Sequence, residues 1–75
     1  MKLVPVKSSM IYAVAYDAAS HTLDLVYYRT GVYRYFDVPP QVYRDLLKAS
    51  SIGSYVRDMV IDCFEWKELR GPEEP

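Results

Sequence analysis

The chain has 75 residues, 51% of them apolar and 25% charged, and a formal net charge of −1. This excludes an intrinsically disordered chain and leaves room for one small domain. The near-neutral balance announces neither nucleic acid nor a membrane as a global partner. The single cysteine, Cys63, excludes an intrachain disulfide, and one Cys with one His cannot build a structural zinc site within the chain.

Charge is unevenly spread. Residues 1–61 carry seven Lys/Arg against five Asp/Glu, and residues 62–75 carry two against five. The body is mildly basic and the tail acidic. Eight of the aromatic residues are tyrosine. Tyrosine supplies apolar area and a hydroxyl, which suits either a thin, half-wet core or a binding surface.

Residues 1–8 read as an extended lead-in. Met1-Lys-Leu-Val is followed at once by Pro5 and Lys7, which is not a secretory pattern. No apolar run approaches the ~20 residues of a membrane span, and a reduced, cytoplasmic setting is expected. Met10 to Tyr16 is apolar throughout and rich in strand formers. Asp17 to His21 is a turn opened by an Asp able to bond its own backbone. Thr22 to Tyr28 alternates, with Leu23, Leu25 and Tyr27 on one face and Asp24, Val26 and Tyr28 on the other. Arg29-Thr-Gly31 is a tight connection in which Gly31 can take a positive φ. Val32 to Phe36 is a third strand. Arg34 is best exposed there, which turns Tyr33 and Tyr35 inward.

Pro39-Pro40 ends the sheet, and Pro40 suits the first position of a helix to Ala49. Its apolar side holds Val42, Tyr43, Leu46 and Leu47. Ser51 is the natural N-cap of a second helix. There Ile52, Tyr55, Val56, Met59, Val60 and Cys63 recur at helical spacing, which predicts a buried stripe with Cys63 as a core thiol and Met59 at its centre. After Cys63 the period changes: Phe64 and Trp66 alternate with Glu65 and Lys67, offering a short C-terminal edge strand. The expected architecture is α+β, a three-stranded antiparallel β-meander followed by two short helices packed on one face. One domain spans residues 1–70, and 71–75 form a disordered tail.

No set of residues assembles a catalytic or cofactor site. His21 sits in a turn, Cys63 lies on the apolar stripe, and Ser8-Ser9 lacks a base, so a non-enzyme without cofactor or metal is expected. Three binding features remain. Ser51, Gly53 and Ser54 open a helix whose free N–H groups can hold an anion, or they form an ordinary capped start. Tyr33 and Tyr35 can stack bases as sheet-based RNA binders do, or fill the core. If they fill the core, Arg34 and Tyr28 on the opposite face are the better stacking pair, with Arg29, Lys48 and Arg57 as phosphate contacts. That face also carries Val26, Val32 and Phe36, which is apolar enough to need a cover.

The ordered set of features resembles the KTSC domain, a family named for its occurrence at the C-terminus of some lysyl-tRNA synthetases and also found as stand-alone proteins. The residues that carry it are Ser8-Ser9 with Ile11, Tyr16-Asp17, Leu23 with Leu25, Gly31, Tyr33-x-Tyr35, Val38-Pro39, and Ala49 with Ser51-x-Gly53-x-Tyr55. They span residues 8–64. The resemblance implies a β-meander followed by helices, no established activity, and a suggested affinity for RNA. Ile52 and Ile61 stand where the family pattern is basic, and Arg57 adds one cation. The expected function is a small non-catalytic accessory module binding RNA through aromatic and Arg residues of a sheet. The alternative is a protein-interaction module or homodimer built on Val26, Val32 and Phe36.

Overall fold

The computed structural model describes residues 2–70, so the expectation of a disordered 71–75 lies outside the described residues. The elements are β1 (Val4–Pro5), β2 (Ile11–Asp17), β3 (Thr22–Tyr27), β4 (Gly31–Tyr35), α1 (Pro40–Lys48), α2 (Ile52–Met59) and β5 (Trp66–Arg70). The strands form one antiparallel sheet in the order β1-β2-β3-β4-β5. The fold is α+β as expected, but the three-stranded meander is only the centre of a five-stranded sheet. The lead-in supplies β1, two residues long, with Val4 opposite Val14 and Pro5 opposite Ala13. Proline has no N–H to give to a ladder, so it fits an edge position. The alternating segment after Cys63 becomes β5, paired with β4 through Tyr35–Trp66 and Arg34–Lys67.

Local chemistry sets the joints. The Asp17 carboxylate accepts the Ala19 N–H at 3.0 Å and opens the β2–β3 turn. Gly31 turns the chain into β4 with φ 107, a conformation disfavoured for any residue with a Cβ. Pro40 occupies the start of α1. Ser51 caps α2, its hydroxyl accepting the Ser54 N–H at 3.3 Å.

Side chains alternate across β3, and the register carries that alternation to its neighbours. Leu23 lies opposite Tyr16 and Tyr35, and Leu25 opposite Val14 and Tyr33. This face meets the helices. Ile11, Val14, Leu23 and Leu25 pack with Val38, Leu46, Val56 and Val60, all fully buried, and with Ile52 and Tyr35 at the margin. Tyr16 donates its hydroxyl to the Val38 carbonyl, and Tyr55 donates to that of Val42. The first ties β2 to the segment leading into α1, and the second ties α2 to α1.

Helix two is shorter than its periodicity suggests, which corrects two expectations. The Ile61 N–H bonds the Val56 carbonyl, and Asp62 takes φ 67, so the helix stops before Cys63. Cys63 is exposed, its thiol reaching the Asp58 carbonyl, and is not a core residue. Met59 is 49% exposed because only the narrow line Ile52–Val56–Val60 meets the sheet. Leu47, expected on the apolar side of α1, is exposed as well.

Leu25 is fully buried under both helices, so Leu25→Ala is expected to cost ~2–5 kcal/mol. Met59→Ala, on an exposed helix surface, should cost under ~0.5 kcal/mol. Urea unfolding of the two variants checks this, and equal losses would place Met59 back in the core.

Candidate functional site

Two helices of this length cover one side of the sheet only. The other side is built from the out-facing members of each strand. Ala13 and Ala15 on β2 lie opposite Val26 and Asp24, which lie opposite Val32 and Arg34, which lie opposite Arg70 and Lys67 on β5. Tyr12 sits at the irregularity between Ile11 and Ala13, where the β2–β3 register shifts. A bulge of this kind re-aims a side chain. The Tyr12 ring meets Tyr28 edge-on, with centroids 5.7 Å apart and planes at 70°. Both rings are a little over half exposed, at 54% and 55%. A groove of about 380 Å³ runs beside them, lined by Val26, Val32, Arg29 and Arg70 among others.

The residues singled out from sequence do not gather in one place. Tyr28 and Arg29 lie on the uncovered side, in and beside the β3–β4 turn, and both are exposed. Arg34 lies on that side too, but its guanidinium is spent on Asp24. Nε meets Oδ1 at 2.8 Å and Nη2 meets Oδ2 at 2.9 Å, a two-pronged pair. The Asp24 bond raises the Arg34 pKa further. The expected Arg34–Tyr28 stacking pair is therefore replaced by Tyr12–Tyr28. Tyr33 and Tyr35 face the helix side. Tyr35 is 4% exposed, so it is core and cannot stack a base, while Tyr33 is half-buried against Trp66. Lys48 ends α1 and Arg57 lies on α2 beside Asp58 at 3.5 Å. Both belong to the helix layer, away from the Tyr12–Tyr28 pair.

The helix-start group is engaged internally. The hydroxyls of Ser51 and Ser54 bond each other at 3.0 Å, and Ser51 also holds the Ser54 N–H. A Cβ on Gly53 would stand 3.7 Å from the Met10 methyl and 3.9 Å from the Ser8 hydroxyl. Gly53 thus lies beside the segment that turns into β2, where the Ser8 hydroxyl accepts the N–H groups of Met10 and Ile11. Val26, Val32 and Phe36 are half-buried. Among the described residues no group of three or more His, Cys, Asp or Glu side chains could hold a metal ion, and no helix is long and apolar enough to cross a membrane.

Sequence reasoning missed Tyr12, Lys67 and Arg70. Tyr12 was hidden in an uninterrupted apolar run with no alternation to give its face. The two cations lie on the strand whose pairing joins distant parts of the chain.

On the helix side, four aromatic residues meet at the margin of the core. Tyr27 and Tyr33 lie edge to face at 5.6 Å and 83°, and Tyr33 and Trp66 at 5.3 Å and 62°. The hydroxyls of Tyr27 and Tyr35 are bonded at 3.2 Å. The Tyr27 pKa is pushed well above its ordinary value, first by burial and then by that bond. Burial raises Tyr35 too.

These features define a small α+β domain of the meander-plus-helix-pair class, with one sheet face covered and one open. The chain belongs to the KTSC domain family, whose model matches residues 7–64. It is 45% identical over 56 residues to a protein of Tsukamurella paurometabola, covering 75% of this chain and 84% of that one. It is 31% identical over 67 residues to a lysine–tRNA ligase of Nostoc punctiforme, covering 89% of this chain but 12% of the ligase. The crystal structure of a KTSC domain protein from Yersinia pestis superposes with a TM-score of 0.90 at 25% identity. The match covers 91% of this chain and 96% of that one.

Two expectations follow. Asp24 is 8% exposed, so Arg34→Leu strands a carboxylate and should cost ~1–3 kcal/mol. Adding Asp24→Leu should recover part of that loss, and a further fall in the double variant would contradict the pairing. The second concerns alkali. In the unfolded chain Tyr27 and Tyr35 ionise near 10, whereas the fold keeps them protonated to higher pH. Their contribution to stability is full below about pH 10 and is lost as pH rises past it. Tyr27→Phe, which cannot ionise, should show a shallower fall of stability with pH above 10. Urea midpoints measured across that range check this, with an unchanged slope counting against it.

Proposed function

We propose that this chain is a non-catalytic accessory module that binds single-stranded RNA on the open face of its sheet. The observation that carries the reading is the Tyr12–Tyr28 pair, over half exposed and flanked by Arg29 and Arg70 along one groove. Exposed rings on a sheet give bases a surface to stack on, at ~1–3 kcal/mol each, and arginine stacks as well as meeting phosphate. Lys67, opposite Arg34 at the β5 edge, extends the cationic side. The kinship with a segment of a lysine–tRNA ligase fits a domain that works beside RNA.

The rival reading places a protein partner or a second copy on the same face through Val26, Val32 and Phe36. Those three are half-buried, whereas the tyrosines are the more exposed. That favours a stacking surface over an apolar interface core.

The test is a salt-series titration of a labelled oligouridylate, with a DNA strand of matching length as control. Tyr28→Ala should weaken binding roughly 5- to 150-fold, the equivalent of one stacked base. Arg29→Gln should make the salt dependence shallower by ~0.7 in the log–log slope. Arg57→Gln, in the helix layer, should change neither. Absence of binding at low salt, or a loss with Arg57→Gln equal to that with Tyr28→Ala, would overturn the assignment. A dimeric mass that Val32→Lys abolishes would support the rival.

A further inference from the structure

The aromatic group on the helix side lines a groove of its own, although Tyr27 also borders the one beside Tyr12 and Tyr28. Its groove, about 410 Å³, is lined by Tyr27, Tyr33, Tyr35, Trp66 and Asp62 among others. The volume lies in the ~300–1,000 Å³ range of small-ligand sites. Tyr27 and Tyr33 stand at 83° to each other, and Tyr33 and Trp66 at 62°. Successive rings set this way make corners, and a group in a corner meets two ring surfaces at once. Trp66 is 54% exposed on an edge strand, so its indole is available to such a group and is not sealed into the core.

Among the described residues the one charged side chain lining this groove is acidic, while Arg29 lies with Tyr27 in the neighbouring clefts. Asp62 lines the groove, and no salt bridge within the described residues engages it. Glu68 lies directly opposite Tyr33, on the same face of the sheet, in a strand that is exposed throughout. The π-faces are themselves negative, and a cation within ~6 Å of a ring centroid is attracted to them. Phosphate would be repelled by the same two carboxylates, so this groove is not an extension of the nucleic-acid face. A primary ammonium is strongly hydrated. A quaternary ammonium brings its charge spread over methyl groups that fit an apolar wall.

We propose that Tyr27, Tyr33, Trp66 and Asp62 form an aromatic cage that binds a small quaternary ammonium compound of the choline type. The two carboxylates further select against zwitterions such as betaines, whose own carboxylate they would repel. The chain's one tryptophan reports directly on the cage.

The test titrates the Trp66 fluorescence of the full chain with choline chloride, against sodium chloride at matched ionic strength. Saturable change with choline is expected. Glycine betaine and the neutral isostere 3,3-dimethylbutanol should each bind at least roughly tenfold more weakly, as expected when cation–π and charge attraction supply the affinity. Asp62→Asn should weaken choline several-fold. Asp62 has φ 67, and Asn tolerates that backbone as well as Asp does, so folding is retained. Trp66→Leu should abolish choline-induced shifts of the tyrosine ring protons in NMR spectra. Tyr28→Ala, on the opposite face, should leave choline binding unchanged, so failure of the RNA reading and failure of this one are separable. A choline response matched by sodium chloride, equal binding of the neutral isostere, or an unaltered Asp62→Asn would each overturn the cage.

Discussion

The helix layer is too small for the sheet it serves. Helices of nine and eight residues can bury one face of a five-stranded sheet, and then only its middle. The fully buried residues mark that limit: Val14, Leu23 and Leu25 of the central strands, under Leu46, Val56 and Val60. Tyr27, Tyr33 and Trp66 continue the same face at the margin of the core, where rings must meet water on one side and each other on the other. Among the described residues the opposite face has no helix packed on it. It is closed by small residues, Ala13 and Ala15, and by the Asp24–Arg34 pair that hides a carboxylate without an apolar cover.

Part of the difference in charge between the two surfaces comes from a single strand. In β5, Trp66 and Glu68 take one face and Lys67 takes the other, since side chains alternate with period two. The register irregularity between Val32 and Tyr33 then lets Arg70 fall opposite Val32, on the same side as Lys67. Without that extra residue, Arg70 would share a face with Glu68. One five-residue strand thus separates an acidic aromatic surface from a basic one.

Much of the local structure was legible. Gly31 at the turn, Pro40 and Ser51 at the helix starts, and the in–out alternation of Leu23, Asp24 and Leu25 are properties of adjacent residues, and the structure repeats them. The non-local features were not. β1 is two residues with a proline, below any periodic signal. Met10 to Tyr16 is apolar on both faces, so nothing in it told that Tyr12 points away from the core. Helical spacing ran on through Met59 to Cys63, while the helix itself ends at Met59 with Val60 as its C-cap. The partner of Arg34 is the instructive miss. Cross-strand pairs of β3 and β4 are equidistant from Arg29, from Tyr27–Gly31 out to Asp24–Arg34. A hairpin centred on the recognised turn already set an acid opposite the arginine, and reading that register would have removed Arg34 from the ligand set.

That pairing also bears on how the two faces relate. Tyr33 and Arg34 are neighbours on β4, one pointing to the aromatic groove and the other to the open face. Arg34 is held across the sheet by Asp24, and Tyr33 is held between Tyr27 and Trp66. Both anchors join β4 to the central strand β3. A ligand on either face therefore meets a strand already fixed on its other side, and little ordering is left for binding to impose. Such a strand transmits little between its faces, because coupling needs an element with two arrangements of similar energy. On this geometry the two proposed sites would fill independently, without one governing the other.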